Sequence, residues 1–160
     1  MIEMIVREAR AQDYSDLCAL IDQVDELHRG RFPHIFQKPD GPARGRDYIL
    51  GLIMDENVGL FVAKVEGKLV GFVHVIIRDS PAIPICVPRR YAIVDSIAVD
   101  KGFQRRGIGQ ALMEQAHYWA EEQGATAIEL NVYEFNQGAI AFYQTFGYTA
   151  TSRKMTKSLR

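Results

Sequence analysis

The sequence predicts an α/β protein built on one mixed sheet with helices on both faces, and three observations carry that reading. Runs of β-favouring residues alternate with runs whose apolar positions recur at the helical period. A long apolar hairpin, GLFVAKV and LVGFVHVII around Glu66-Gly67-Lys68, occupies the middle of the chain. The second half then reads strand, helix, strand, helix, strand without internal repeats or low-complexity segments.

Element by element, residues 2–9 (IEMIVREA) are mostly β-compatible and form the first strand. Asp13 is placed to cap a helix whose apolar positions are Tyr14, Leu17, Leu20, Ile21, Val24 and Leu27. The stretch from His28 to Arg46 is rich in Gly, Pro and Arg and reads as a loop holding one short helical turn. Tyr48 to Met54 form a second short helix, followed by the hairpin strands Gly59–Val65 and Leu69–Ile77, with Gly67 supplying a positive φ at the turn. Pro81, Pro84 and Pro88 make Ser80–Arg90 a connection, because proline cannot donate to a ladder. Ala92–Val99 (AIVDSIAV) is apolar enough to be a central strand. Gly107–Gln123 form a helix stopped by Gly124, Ala127–Val132 a strand, Asn136–Phe146 a helix, and Tyr148–Leu159 a final strand.

Length and charge bound the function. One domain over residues 1–160 is expected, large enough to hold a core without disulfides or metal. A net charge of -1, with basic residues only in the short clusters Arg44/Arg46, Arg89-Arg90 and Arg105-Arg106, argues against a nucleic-acid partner. No apolar stretch approaches the ~20 residues of a membrane span, and the N-terminal residues lack the order of a secretory signal, so a cytoplasmic protein is expected. Cys18 and Cys86 make neither a disulfide framework nor a zinc site, and no metal is expected.

The chemistry concentrates in residues 92–112, AIVDSIAVDKGFQRRGIGQAL. A buried strand runs into a short loop, and Gln104-Arg105-Arg106-Gly107-Ile108-Gly109 opens a helix. The first N–H groups of a helix have no internal partner and point outward at its positive end, which suits a phosphate. Two glycines let backbone approach a diphosphate, and two arginines add charge, although Arg105 and Arg106 alone also read as solvated surface charges. A Walker loop needs Gly-Lys-Ser/Thr at the helix start, and a dinucleotide fingerprint needs a third glycine where Leu112 stands; both are absent.

Following a strand that ends Ile97-Ala98-Val99, this run resembles the acetyl-CoA pyrophosphate loop of the GNAT N-acetyltransferase superfamily. A second block agrees in order and spacing: Leu130-Asn131-Val132-Tyr133, Asn136, Ala141-Phe142-Tyr143 and Phe146-Gly147-Tyr148. Together the blocks cover residues 92–148. The resemblance implies a mostly antiparallel mixed sheet in which two central parallel strands splay into a V, with the pantetheine arm in the gap. It places Gln104, Arg105, Arg106, Gly107, Ile108, Gly109 and Gln110 at the pyrophosphate. It also sets the backbone of Ile97, Ala98 and Val99 along the pantetheine, with an N–H near Ile97 facing the thioester carbonyl.

Other roles follow from the same resemblance. Tyr143 corresponds to the general acid that protonates the departing thiolate; as a bare pattern it is a core tyrosine sharing a helix face with Ile140 and Phe146. Asn136 is either a pantetheine contact or a helix N-cap. Some relatives place a basic Glu where this chain has Asn131, which cannot take a proton. The base then falls to Asp95 through water, to Glu129 or to Glu134. His74, in an apolar strand, reads as a core histidine or a substrate contact. His28 and Phe32 in the region after the first helix, Tyr91 at the end of the loop before the central strand, and Asn131 on the later strand are candidate acceptor contacts.

The expected activity is therefore transfer of an acetyl group from acetyl-CoA to a primary amine, either a small molecule or a peptide N-terminus or lysine. The amine attacks directly in a ternary complex, since neither cysteine sits in a motif position. The rival is a CoA-binding sensor or regulatory module without catalysis. Homodimerisation remains open.

Overall fold

In the computed structural model, which describes residues 3–160, five strands form one sheet in chain order. They are β1 (Met4–Glu8), β2 (Val58–Val65), β3 (Lys68–Asp79), β4 (Arg90–Val99) and β5 (Ile128–Leu130). β1 to β4 pair antiparallel, and β5 joins β4 in parallel. Ile2, which opens the expected first strand, lies outside the described residues. The β2–β3 turn is Glu66-Gly67, with φ of 51° and 80°. Two positive φ values make a type I′ turn, whose twist matches that of the strands it joins, and Lys68 already belongs to β3.

Helices cover both faces. Helix α1 (Tyr14–Arg31) and α2 (Arg46–Met54) bury Leu17, Leu20 and Ile49 against Leu60, Val62, Leu69 and Phe72. On the other face α3 (Ile108–Glu122) buries Leu112, Met113, Ala116 and Trp119 against Phe61, Val73, Val75 and Val94, and α4 (Gln137–Thr145) adds Phe142 and Tyr143 at the margin. Each such large apolar side chain contributes about 1.5–3 kcal/mol on burial. Two glycines let α3 lie close to the sheet. A Cβ on Gly59 would come within 2.8 Å of Trp119, and one on Gly71 within 2.9 Å of Leu112 and 3.1 Å of Ile108. The N-terminus of α3 is thereby fixed over the end of β4.

Three expectations change. Asp13 precedes α1 but its side chain does not cap it; the buried carboxylate instead accepts from Arg7 at 2.8 and 3.0 Å and from the Arg10 N–H. Helix α1 continues through His28, where a loop was expected, to Arg31 and is capped by Phe32, whose N–H donates to the His28 carbonyl. The final strand over Tyr148–Leu159 does not form: residues 149–160 have no regular structure and are exposed throughout. Most of them are Ser, Thr, Lys or Arg, with too little apolar surface to hold a face down. The strand of Ala92–Val99 is accordingly next to last, and β5 is an edge.

Candidate active site

The site begins where two strands part. β4 and β5 pair only over Ala92–Val94 and Ile128–Leu130, so among the described residues no strand lies beside the outer edge of β4 from Asp95 to Val99. Ala98 carries its carbonyl toward β3, 3.1 Å from where a Cβ on Gly71 would sit. Backbone groups alternate along a strand, so Ile97 and Val99 face the gap. The Val99 carbonyl there accepts a long 3.4 Å bond from the Gln104 amide.

At the mouth of that gap α3 presents its N-terminus. Gly107 is the N-cap with φ 81°, and no side chain caps the helix, so the N–H groups of Ile108, Gly109 and Gln110 at its start are left for a ligand. Around the Gly107 Cβ position there is open space. Gly109 differs: a Cβ there would lie 3.3 Å from Phe142, so its lack of a side chain lets α3 and α4 touch. Arg105 holds φ 63°, a left-handed value that non-glycine residues adopt only under constraint. Arg106 lies over the Phe103 ring at 5.2 Å, and Arg105, Arg106 and Gln110 are all exposed. Behind the loop, Asp100 accepts from the Gly102 N–H at 2.9 Å and from Gln23 of α1 at 3.2 Å, which ties the turn to the opposite layer.

Helix α4 supplies the next two groups. The Asn136 side-chain oxygen accepts from the Ala139 N–H at 3.1 Å, so Asn136 is the N-cap, and its amide N–H groups have no partner among the described residues. Tyr143 is packed against Phe142 and Tyr148, with ring centroids at 5.5 and 5.9 Å. Burial pushes its phenol above the ordinary value, and among the described residues no protein group bonds its hydroxyl. A phenol of that kind stays protonated and can donate. Tyr148 is pushed further, to about 12, by burial and by Tyr143, while its hydroxyl shares a 2.8 Å bond with His117 Nε2.

The other wall holds the carboxylates. Between His74/Ser96 and Val75/Val94 the register shifts, leaving Asp95 as the extra residue of a β-bulge. Bulges re-aim side chains, and this one turns a half-exposed Asp95 onto buried His74, with Oδ2 3.2 Å from Nδ1. That hydrogen bond, aided by Arg44 and Arg78, holds Asp95 below the ordinary carboxyl value against the opposing effect of burial. His74 Nε2 is buried without a partner among the described residues. Reading the sequence alone does not reveal this pair, because a bulge leaves no periodic signal in an apolar strand.

Glu129 is exposed and stands opposite Ile93 in the β4–β5 register, on the face away from α3. Asn131, also exposed, lies just beyond the end of β5. His28 and Phe32 meet Tyr133 at 5.2 and 4.9 Å, and Phe32 meets Phe135 at 5.7 Å, so the end of α1 and the loop before α4 form one aromatic wall. Phe135 is an addition that the motif did not name, and Tyr133, named in the motif, gains a place in this wall. Tyr91 stands apart: it is four residues upstream of Asp95, about 13 Å along the strand, beneath the Arg89 guanidinium at 4.2 Å. Among the described residues no three or more His, Cys, Asp or Glu side chains converge as metal ligands, and no helix is long and apolar enough to cross a membrane.

Comparison with known proteins places this arrangement. An uncharacterised N-acetyltransferase of Methanocaldococcus jannaschii is 34% identical over 133 residues, covering 83% of this chain and 56% of that protein. The ribosomal protein bS18 alanine N-acetyltransferase of Escherichia coli is 39% identical over 64 residues, 39% of this chain and 43% of that enzyme. The chain thus spans about half the length of these curated relatives. The crystal structure of a variant of the BH1408 protein from Bacillus halodurans superposes with a TM-score of 0.93 at 27% identity, covering 98% of this chain and 99% of that one. An aminoglycoside N-acetyltransferase in complex with CoA shares the fold, with a TM-score of 0.71 at 17% identity over 100% and 97% of the two chains. The model of the acetyltransferase (GNAT) family matches residues 21–148, a span that runs from α1 through the parted strands to Tyr148, and the chain belongs to that family.

Proposed function

We propose that the protein transfers an acetyl group from acetyl-CoA to a primary amine by direct attack in a ternary complex. The observation that carries this reading is the gap between β4 and β5, which opens beyond Val94 and Leu130 and ends at the uncapped N-terminus of α3. The pyrophosphate is held by the first N–H groups of α3 with Arg105 and Arg106. The pantetheine lies along the free edge of β4, hydrogen-bonded by Ile97 and Val99, with Asn136 and Gln104 at its flank.

The amine nitrogen attacks the thioester carbonyl carbon, and the Ile97 N–H stabilises the oxygen as it gains charge. The new C–N bond forms, the C–S bond breaks, and the thiolate takes the proton of the Tyr143 hydroxyl. An alkylamine with pKa near ~10.4 is protonated at neutral pH, so it must also lose a proton. Asp95 accepts it through water, held in place by His74; Glu129 is the alternate acceptor. Asp95 is the better placed, because it is both anchored and accessible. Protein His28, Phe32, Tyr133 and Phe135 form the acceptor wall, which suits an amine borne on an apolar or flat body.

A CoA-binding sensor without catalysis is the second reading, favoured by Asn131, which offers no carboxylate at the end of β5. Amine-dependent release of free CoA separates the two. A panel of small amines, lysine peptides and peptide N-termini should include at least one acceptor that accelerates release. Tight acetyl-CoA binding with no acceptor-dependent turnover supports the sensor instead.

A further inference from the structure

Helix α4 carries Tyr143, yet no residue of α4 is fully buried. It reaches the core through Phe142, which lies against Gly109 of α3 and meets Phe146 at 5.1 Å. A helix with so little buried surface needs a further tie if its tyrosine is to keep one place. The end of α4 prepares that tie. Gly147, at φ 90°, turns the chain back. Its N–H donates to the Gln144 carbonyl at 3.0 Å, and the Tyr148 N–H donates to the Tyr143 carbonyl at 3.3 Å. That pair of bonds is a Schellman C-cap, which sets the residue two past the cap against the third from the helix end. Here those residues are Tyr148 and Tyr143, and their rings meet edge to face at 5.9 Å.

Tyr148 is in turn gripped from α3. Its hydroxyl and His117 Nε2 share a 2.8 Å bond, and the His117 ring meets Phe146 edge-on at 5.7 Å. Among the described residues no other side-chain hydrogen bond joins residues 137–148 to α1, α3 or any strand. Burial lowers the His117 value against the pull of Glu121 and Glu114, which favours the neutral ring. His117 stands nine residues after Ile108, roughly 14 Å along the axis from the end of α3 that faces the gap.

We propose that His117 is a positioning residue for Tyr143, acting through Tyr148 to fix the phenol that protonates the departing thiolate. The inference rests on the role proposed above for Tyr143. The imidazole takes no part in the proton transfer itself. It holds the Tyr148 hydroxyl, and the Tyr148 ring backs the Tyr143 ring. The Tyr143 hydroxyl, bonded to no protein group among the described residues, keeps its hydrogen for the thiolate. Because α3 also opens with the N–H groups assigned to the pyrophosphate, one rigid helix sets both the cofactor's anchor and its acid.

Two variants separate the bond from the packing. His117→Phe keeps a ring against Phe146 and removes the partner of the Tyr148 hydroxyl, whereas His117→Gln returns a donor and an acceptor near the place of Nε2. With the amine that best accelerates CoA release, His117→Phe should lower kcat about tenfold, the effect of one lost hydrogen bond, at unchanged acetyl-CoA affinity. His117→Gln should recover to within about threefold of the wild type. In a Tyr143→Phe background His117→Phe should cost nothing further, because the group it positions is gone. An equal loss in both backgrounds, no loss in His117→Phe, or no recovery in His117→Gln overturns the proposal. A second readout needs no acceptor. In chains labelled with 13Cζ-tyrosine, the Tyr143 signal is assigned by its absence from Tyr143→Phe. It should shift in His117→Phe and return in His117→Gln. A Tyr143 signal unmoved in His117→Phe overturns the proposal whatever the amines do. A signal that shifts while every amine fails rejects acetyl transfer and leaves the tie between His117 and Tyr143 standing.

Discussion

His74 Nδ1 and Asp95 Oδ2 lie 3.2 Å apart, and the contact exists because β4 carries one residue more than β3 at that point. The bulge turns a strand carboxylate out of the ladder, and the histidine anchors it. Asp95→Asn should lower kcat by about 100-fold, the lower end of general-base contributions, while leaving acetyl-CoA affinity unchanged. Steady-state kinetics beside a binding titration checks both halves. A loss confined to KM would remove Asp95 from proton transfer.

On the proposed mechanism His74 acts through Asp95 as a positioning residue, so its signature is a pH shift. The histidine bond is the largest influence lowering the Asp95 value, and a lowered carboxyl keeps its charge, with the stability it brings, until the pH falls below the ordinary 3.8. In His74→Asn the Asp95 value rises toward 3.8, and the acid limb of the rate profile moves upward in pH. An unmoved limb with merely lower stability would assign His74 to packing alone.

Tyr143→Phe keeps the ring and removes the hydroxyl proposed to protonate the thiolate. Thiols have pKa ~8.5, so the leaving group is fair even without help, and a drop of about 10²-fold in kcat with unchanged acetyl-CoA affinity is expected. Replacing the thioester by a donor with a more acidic leaving group should narrow the gap between variant and wild type. A constant gap would argue against a role as acid.

Tyr148 predicts an alkaline limit to stability. Its value rises from the ordinary 10.0 to about 12 on folding, so the unfolded chain ionises first as the pH increases. The contribution to stability is complete below pH 10 and is lost as the pH climbs toward 12. Thermal melts across that window should fall less steeply in Tyr148→Phe than in the wild type.

Gly71→Val tests the seat of α3. The new side chain would collide with Leu112, Ile108 and the Ala98 carbonyl, and overpacking of this kind costs about 1–3 kcal/mol. Because Ile108 opens α3, acetyl-CoA binding should weaken along with the melting temperature. Gly51→Ala, in α2 with open space around its Cβ position, is the control and should leave binding untouched.

Much of this was legible in the residues, and the exceptions share a cause. The helix and strand periods gave the five strands and the four α-helices, though not the absence of a last strand, and Gly107 marked the start of α3, because those signals are local. Gly59 and Gly71 read as interruptions of a strand until Trp119 and Leu112 lie against them. Asp95 and His74 belong to separate strands, and only the register shift joins them. Tyr133 and Phe135 gain meaning from α1 running on to Arg31, four residues past Leu27, which carries Phe32 to them. The C-terminal run has strand-like residues, but pairing depends on a partner edge that its own sequence does not specify.

The central claim is that the gap at the α3 N-terminus binds acetyl-CoA, and a calorimetric titration of the wild type beside Gly107→Glu tests it most directly. The substitution sets a carboxylate where the pyrophosphate belongs, at a position with open space around it. Micromolar binding by the wild type, weakened at least about tenfold (~1.4 kcal/mol) in the variant, is the predicted result. A wild type that binds no acetyl-CoA, or a variant that binds it equally well, would contradict the account.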